Sequence, residues 1–167
     1  RARMAGVSHI FMPNIDSTTI EAMLSACSVY KGYCFPMIGL HPTSVNANYE
    51  KELEIVAREL KFSKEYVAIG EIGMDLYWDK TYLKEQQIVL DKQVNWALEY
   101  DLPIVIHCRD AFDYIYKVLE PYKKTPLRGI FHSFTGTAEE ATRVLEFSDF
   151  FIGINGVVTF KKSHLPE

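Results

Sequence analysis

Short apolar runs of strand length alternate with longer amphipathic runs from one end of the chain to the other, and no low-complexity linker or domain boundary interrupts them. That alternation is the signature of βα units arranged around a parallel sheet. Strands are expected at 9–12, 35–40, 66–71, 104–107, 129–132 and 150–154. Between the first two, Ile20, Met23, Leu24 and Cys27 keep the i, i+3, i+4, i+7 spacing that buries one face of a helix. Leu53, Val56, Ala57 and Leu60 repeat it. A third helix, over about 82–100, should bury Leu83, Leu90, Val94 and Leu98 and stop before Asp101-Leu102-Pro103, where proline ends helix propagation. Thr137 and Glu140 form a capping box for the helix after the fifth strand. Six βα repeats are legible. With 167 residues, 48% hydrophobic and 24% charged, we expect one domain over 1–167 with a substantial core.

The polar residues at the strand ends carry the functional signal. Glu71 closes the third expected strand, His107 the fourth and His132 the fifth, while His41 follows the second in IGLHP. In parallel α/β folds the carboxyl ends of the strands face one rim, where ligands bind, so these four side chains should converge. Strand parity adds a constraint. Glu71 shares a face with Val67 and Ile69, His107 with Val105 and His132 with Ile130, whereas Cys108 points the other way, toward the helices. Each of these residues alone could be a hydrogen-bonded structural group. Together, one Glu and two His from consecutive strands form a ligand set suited to Zn²⁺, Mn²⁺ or a similar divalent ion, and a bridging carboxylate could hold a second.

Charge and cysteine usage restrict the setting. The formal net charge of −4 gives no general attraction for nucleic acid, so phosphate recognition would need local cations. Cys27, Cys34 and Cys108 lack any CxxC spacing and cannot all pair, which suits a reducing compartment. No apolar run is long enough to span a bilayer and no secretory signal pattern opens the sequence, so a cytoplasmic protein without membrane contact is expected.

The segments IGLHP (38–42), IGEIGMDLYW (69–78), LPIVIHCRDA (102–111), GIFHSFTG (129–136) and IGINGVVTFKK (152–162) resemble, in order and spacing, the strand-end motifs of the TatD family of metal-dependent deoxyribonucleases. The resemblance covers almost the full chain. It implies a TIM (β/α)₈-type barrel with one or two divalent ions (Mg, Mn or Zn) at its C-terminal rim. It also implies that Glu71, His107 and His132 are metal ligands, Glu71 bridging, and that phosphodiester bonds of DNA are hydrolysed, commonly from single-stranded ends. His41 and Arg109 are candidate substrate contacts, and Lys161 and Lys162 could meet phosphate. The residues leave the catalytic acid and base unassigned. Tyr77 and Trp78 could stack an unpaired base or equally anchor their loop. Asp75 could orient a ligand or simply cap a turn. His9 reads as a satisfied core or interface histidine and His164 as solvated.

Family members also open with a strand ending in His-x-His and close with an acidic Asp motif, and neither occurs in residues 1–167. The expectation is therefore an incomplete barrel of about six βα units, lacking the first and last strands. Residues 1–167 alone should show little or no nuclease activity and should self-associate through unpaired edges if they are the whole molecule. Two further readings stay open: an amide or ester hydrolase of the same barrel type, and a non-catalytic metal-binding fragment.

Overall fold

The structure is a computed structural model, and it describes residues 1–161 together with Ser163 and Leu165. Six parallel strands follow one another in chain order: β1 (Ile10–Pro13), β2 (Cys34–Met37), β3 (Ile69–Asp75), β4 (Ile104–Arg109), β5 (Gly129–Phe131) and β6 (Phe150–Ile152). β1 pairs with β2, and β3 to β6 form a continuous sheet. The two parts join through a parallel bridge between Ile38 and Ile69, supported by hydrogen bonds from Val67 N to Pro36 O and from Gly70 N to Ile38 O. Five helices, α1 (Ile20–Val29), α2 (Tyr49–Phe62), α3 (Leu83–Glu99), α4 (Phe112–Leu119) and α5 (Ala138–Val144), follow the first five strands. β6 leads instead into a short 3₁₀ turn at Gly156–Thr159. Sequential parallel pairing with each crossover helix on one side is the arc of a (β/α) barrel, here unclosed among the described residues.

Local sequence accounts for the elements. α2 starts with Glu50 and Glu52 near its positive end and carries Lys61 in its last turn, complementing the helix dipole. α5 has the expected reciprocal cap, with Thr137 Oγ1 accepting from Glu140 N and Thr137 N donating to Glu140 Oε2. The main core lies between strands and helices. Ile69, Ile72, Ile104 and Ile106 pack there against Leu90, Val94, Ile115 and Leu119, each buried branched side chain contributing on the order of 1.5–3 kcal/mol. The opposite, inner face carries Phe11 and Phe151, 60% and 68% exposed.

β2 and β6 stop short of their expected ends, at Met37 and Ile152, and β4 runs on to Arg109; β3 and the region of His9 differ more. β3 starts later than predicted, at Ile69, and continues through Asp75, because Gly73, Met74 and Asp75 go on pairing with His107, Cys108 and Arg109. Its register slips between Gly70 and Ile72, so Ile69, expected on the face of Glu71, packs instead on the helix side with Ile72. His9 precedes β1, is exposed and lies beside Ser8 Oγ and the Phe35 ring rather than within a core. His164 and Lys162 lie outside the described residues.

Candidate metal centre

β3 presents Glu71 at the register slip. Gly70 pairs with Val105 and Ile72 with Ile106, leaving Glu71 as the extra residue between them. An inserted residue of this kind re-aims its side chain. The flanking glycines let β3 and β4 approach closely on both sides of the slip. A Cβ on Gly70 would lie 2.7 Å from Val105 Cβ, and one on Gly73 would lie 2.0 Å from the His107 carbonyl oxygen. Gly73 also holds φ +135°, a conformation reserved for glycine.

Past the slip, Glu71, Gly73 and Asp75 lie on one face and the buried Ile72 and Met74 on the other. Asp75 consequently meets His107, the residue that pairs with Gly73 in register. Its Oδ2 accepts from His107 Nε2 at 2.9 Å, and Glu71 Oε1 stands 3.5 Å from His107 Nδ1. One imidazole is thus held between two carboxylates. His41 joins from the loop after β2, its ring 4.6 Å from that of His107. Ligand atoms of His41, Glu71 and His107 lie within 4.8 Å of one another.

The electrostatics follow from this packing. Burial of Glu71 favours its neutral form, but the hydrogen bond from His107 and the nearby His132, His107 and His41 outweigh it and lower the pKa. Burial disfavours the cationic form of His107 too, yet Glu71 and Asp75 raise its pKa overall. His41 moves the other way, lowered by burial first and by His107 second. Its Nδ1 accepts from Thr43 N at 3.2 Å and lies 2.7 Å from Thr43 Oγ1, capping the 3₁₀ turn Pro42–Ser44. The neutral ring consequently carries its proton on Nε2.

His132 sits at the end of β5, exposed, with Nε2 3.0 Å from Ser133 Oγ. It shares with Glu71 the wall of a cavity of about 640 Å³ on the inner face of the sheet, outside the three-residue cluster. Arg109 follows at the rim with its guanidinium 3.8 Å from the Tyr77 ring centroid and 5.3 Å from that of Trp78. Cys108 packs on the helix side against the main core.

Buried amides fix the backbone beneath the site, and sequence periodicity did not mark them. Gln93 brackets Leu40, accepting from its N at 2.7 Å and donating to its O at 3.3 Å. Gln86, two turns earlier on α3, brackets Asp75 in the same way at 2.9 and 3.2 Å. Asn14 Oδ1 accepts from Gly39 N at 2.7 Å. The backbones leading to His41 and carrying Asp75 are therefore clamped by one helix and one loop.

The donor set fits a divalent cation. Glu71 supplies a carboxylate oxygen, His107 an imidazole nitrogen, and Asp75 the outer carboxylate that commonly orients a metal-bound histidine. The profile of the family described as TatD related DNase matches residues 1–167. The chain belongs to the TatD family. It is 34% identical over 167 residues to a Bacillus subtilis protein named uncharacterized metal-dependent hydrolase YabD, covering 100% of this chain and 64% of that one. It is 30% identical over 158 residues to the 3'-5' ssDNA/RNA exonuclease TatD of Pantoea ananatis, covering 95% of this chain and 60% of that one. The crystal structure of YjjV, a TatD homolog from Escherichia coli K12, superposes with a TM-score of 0.87 at 29% identity, covering 97% of this chain and 62% of that one. The TatD barrel is accordingly the fold of this chain, which spans 60–64% of the length of these relatives. No described helix is long and apolar enough to cross a membrane.

Proposed function

We propose that the protein is a metal-dependent hydrolase of nucleic-acid phosphodiester bonds, acting on single-stranded DNA at or near its ends. The observation that carries this reading is the position of His107 between Glu71 and Asp75 at the strand-end rim. Glu71 and His107 are the core ligands, and His132 completes them by releasing Ser133 and turning toward Glu71. There these residues would hold a divalent ion, whose chemistry would be Lewis acidity toward the phosphoryl group and a lowered pKa of a bound water.

The surrounding residues divide the remaining work. Asp75 fixes the His107 ring through Nε2, leaving Nδ1 toward Glu71. His41 stays out of the ligand set, because ligation through Nε2 would require moving its proton to Nδ1 and losing the Thr43 N bond. Its Nε2–H instead donates to a phosphate oxygen. Arg109, two residues beyond His107, contributes a cation that draws the phosphate to the rim. The similarity to the Pantoea ananatis protein, a 3'-5' ssDNA/RNA exonuclease, supports a nucleic-acid substrate.

The test is metal-dependent release of nucleotides from single-stranded DNA by the complete protein, beside panels of amides and carboxylic esters. Cleavage of DNA with added Mn²⁺, Mg²⁺ or Zn²⁺, lost in Glu71→Gln, supports the reading. Turnover of amides or esters with no DNA cleavage contradicts it.

A further inference from the structure

Beside the metal centre, the loops after β2 and β3 enclose a cavity of about 350 Å³ lined by Thr43, Asn46, Asp75, Trp78, Asp79 and Tyr82 among others. It touches the centre at two points. Thr43 is hydrogen-bonded to His41, and Asp75 to His107. Among the described residues no lysine or arginine lines it, while two carboxylates do. A phosphate would therefore be repelled from this cavity, whereas a flat neutral heterocycle bearing N–H donors would meet aromatic rings and hydrogen-bond acceptors.

The cation is placed on the neighbouring surface instead. Arg109 lies against Tyr77 and Trp78 and is absent from the cavity lining. Trp78 thus contacts both regions, a cationic one outside and an acidic aromatic one within. Trp78 is 72% exposed, and its ring meets that of Tyr77 edge-on at 4.8 Å. The volume suits one nucleoside and excludes a duplex.

We propose that this cavity is a nucleobase subsite in which Trp78 stacks an unpaired base while the adjoining phosphate faces Arg109 and the metal centre. The proposal rests on the nuclease reading above and deepens it. A base still paired in a duplex cannot enter, so the subsite selects single strands and frayed ends. Stacking on an aromatic ring tolerates any base, which predicts weak sequence preference.

Two measurements on the complete protein test it. The first compares single-stranded oligonucleotides with base-bearing and abasic terminal residues. The wild type should prefer the base-bearing strand by about tenfold or more in kcat/KM, mainly through KM. Trp78→Ala should lose that preference and Trp78→Phe should keep most of it. An undiminished preference in Trp78→Ala, or none in the wild type, overturns the subsite. The second reads intrinsic fluorescence during titration with dAMP and with deoxyribose 5-phosphate. Quenching by dAMP alone, absent in Trp78→Ala, supports the subsite even if no cleavage is found, an outcome that would overturn the nuclease reading separately. Equal responses to the two ligands overturn the subsite while leaving nuclease activity standing.

Discussion

His107 and Asp75 are joined by a 2.9 Å hydrogen bond from Nε2 to Oδ2, and Asp75 is only 4% exposed. The aspartate is itself held: Tyr77 N donates to its Oδ1, and Gln86 brackets its backbone. Such a carboxylate sets the tautomer and orientation of the imidazole and strengthens it as a ligand. Asp75→Asn should therefore weaken Mn²⁺ or Zn²⁺ binding by about 10–100-fold, read by isothermal titration, while the circular dichroism spectrum stays that of the wild type. Unchanged affinity would leave Asp75 with a turn-capping role only.

Gln93 is fully buried, and its amide satisfies both backbone groups of Leu40. Gln93→Leu removes the donor and the acceptor together while keeping similar bulk. Each stranded backbone group costs about 1–3 kcal/mol, so with two of them the variant should lose about 2–6 kcal/mol of unfolding free energy in urea. A loss below about 0.5 kcal/mol, the size of an ordinary surface substitution, would mean that the Leu40 backbone finds other partners.

The architecture was legible because the βα alternation is a whole-chain pattern, and strand parity correctly grouped His107 with Val105 and His132 with Ile130. The extension of β3 to Asp75 was not legible. The expected strand stops at Glu71, so Asp75 reads as a turn residue, although Glu71, Gly73 and Asp75 share one face by ordinary alternation. The register slip was hidden as well: the alternation of 66–71 puts Ile69 on the face of Glu71, whereas the slip between Gly70 and Ile72 leaves Ile69 on the helix side with Ile72. Gln86 and Gln93 were hidden for another reason. Hydrophobic periodicity finds the apolar stripe of α3 through Leu90 and Val94, whereas a buried glutamine leaves no apolar mark. The convergence of His41 on Glu71 and His107 follows the expectation from strand-end position, and the turn at Pro42–Ser44, which His41 caps, holds it there.

Cys108 follows His107 but faces the helices, and burial pushes its thiol pKa from 9.0 up to about 12. At pH 8 this leaves roughly a thousandfold less thiolate than an ordinary cysteine would carry, and the thiolate is the reactive form. Iodoacetamide labelling of the native protein followed by peptide mass spectrometry should find Cys108 essentially unmodified over times that saturate it in urea. Rapid native labelling would place its side chain on the open face of the sheet and overturn the parity assigned to β4.

The location of the ion itself is the most direct measurement. Crystals of the complete protein grown with Mn²⁺ should give an anomalous difference peak within about 2.0–2.3 Å of ligand atoms from Glu71 and His107, with the His107 Nε2 to Asp75 bond retained and His41 still capped on Thr43. A ring of His132 turned toward the same peak would complete the proposed ligand set. A manganese peak bound elsewhere, or coordinated at this rim without Glu71 and His107, would contradict the account.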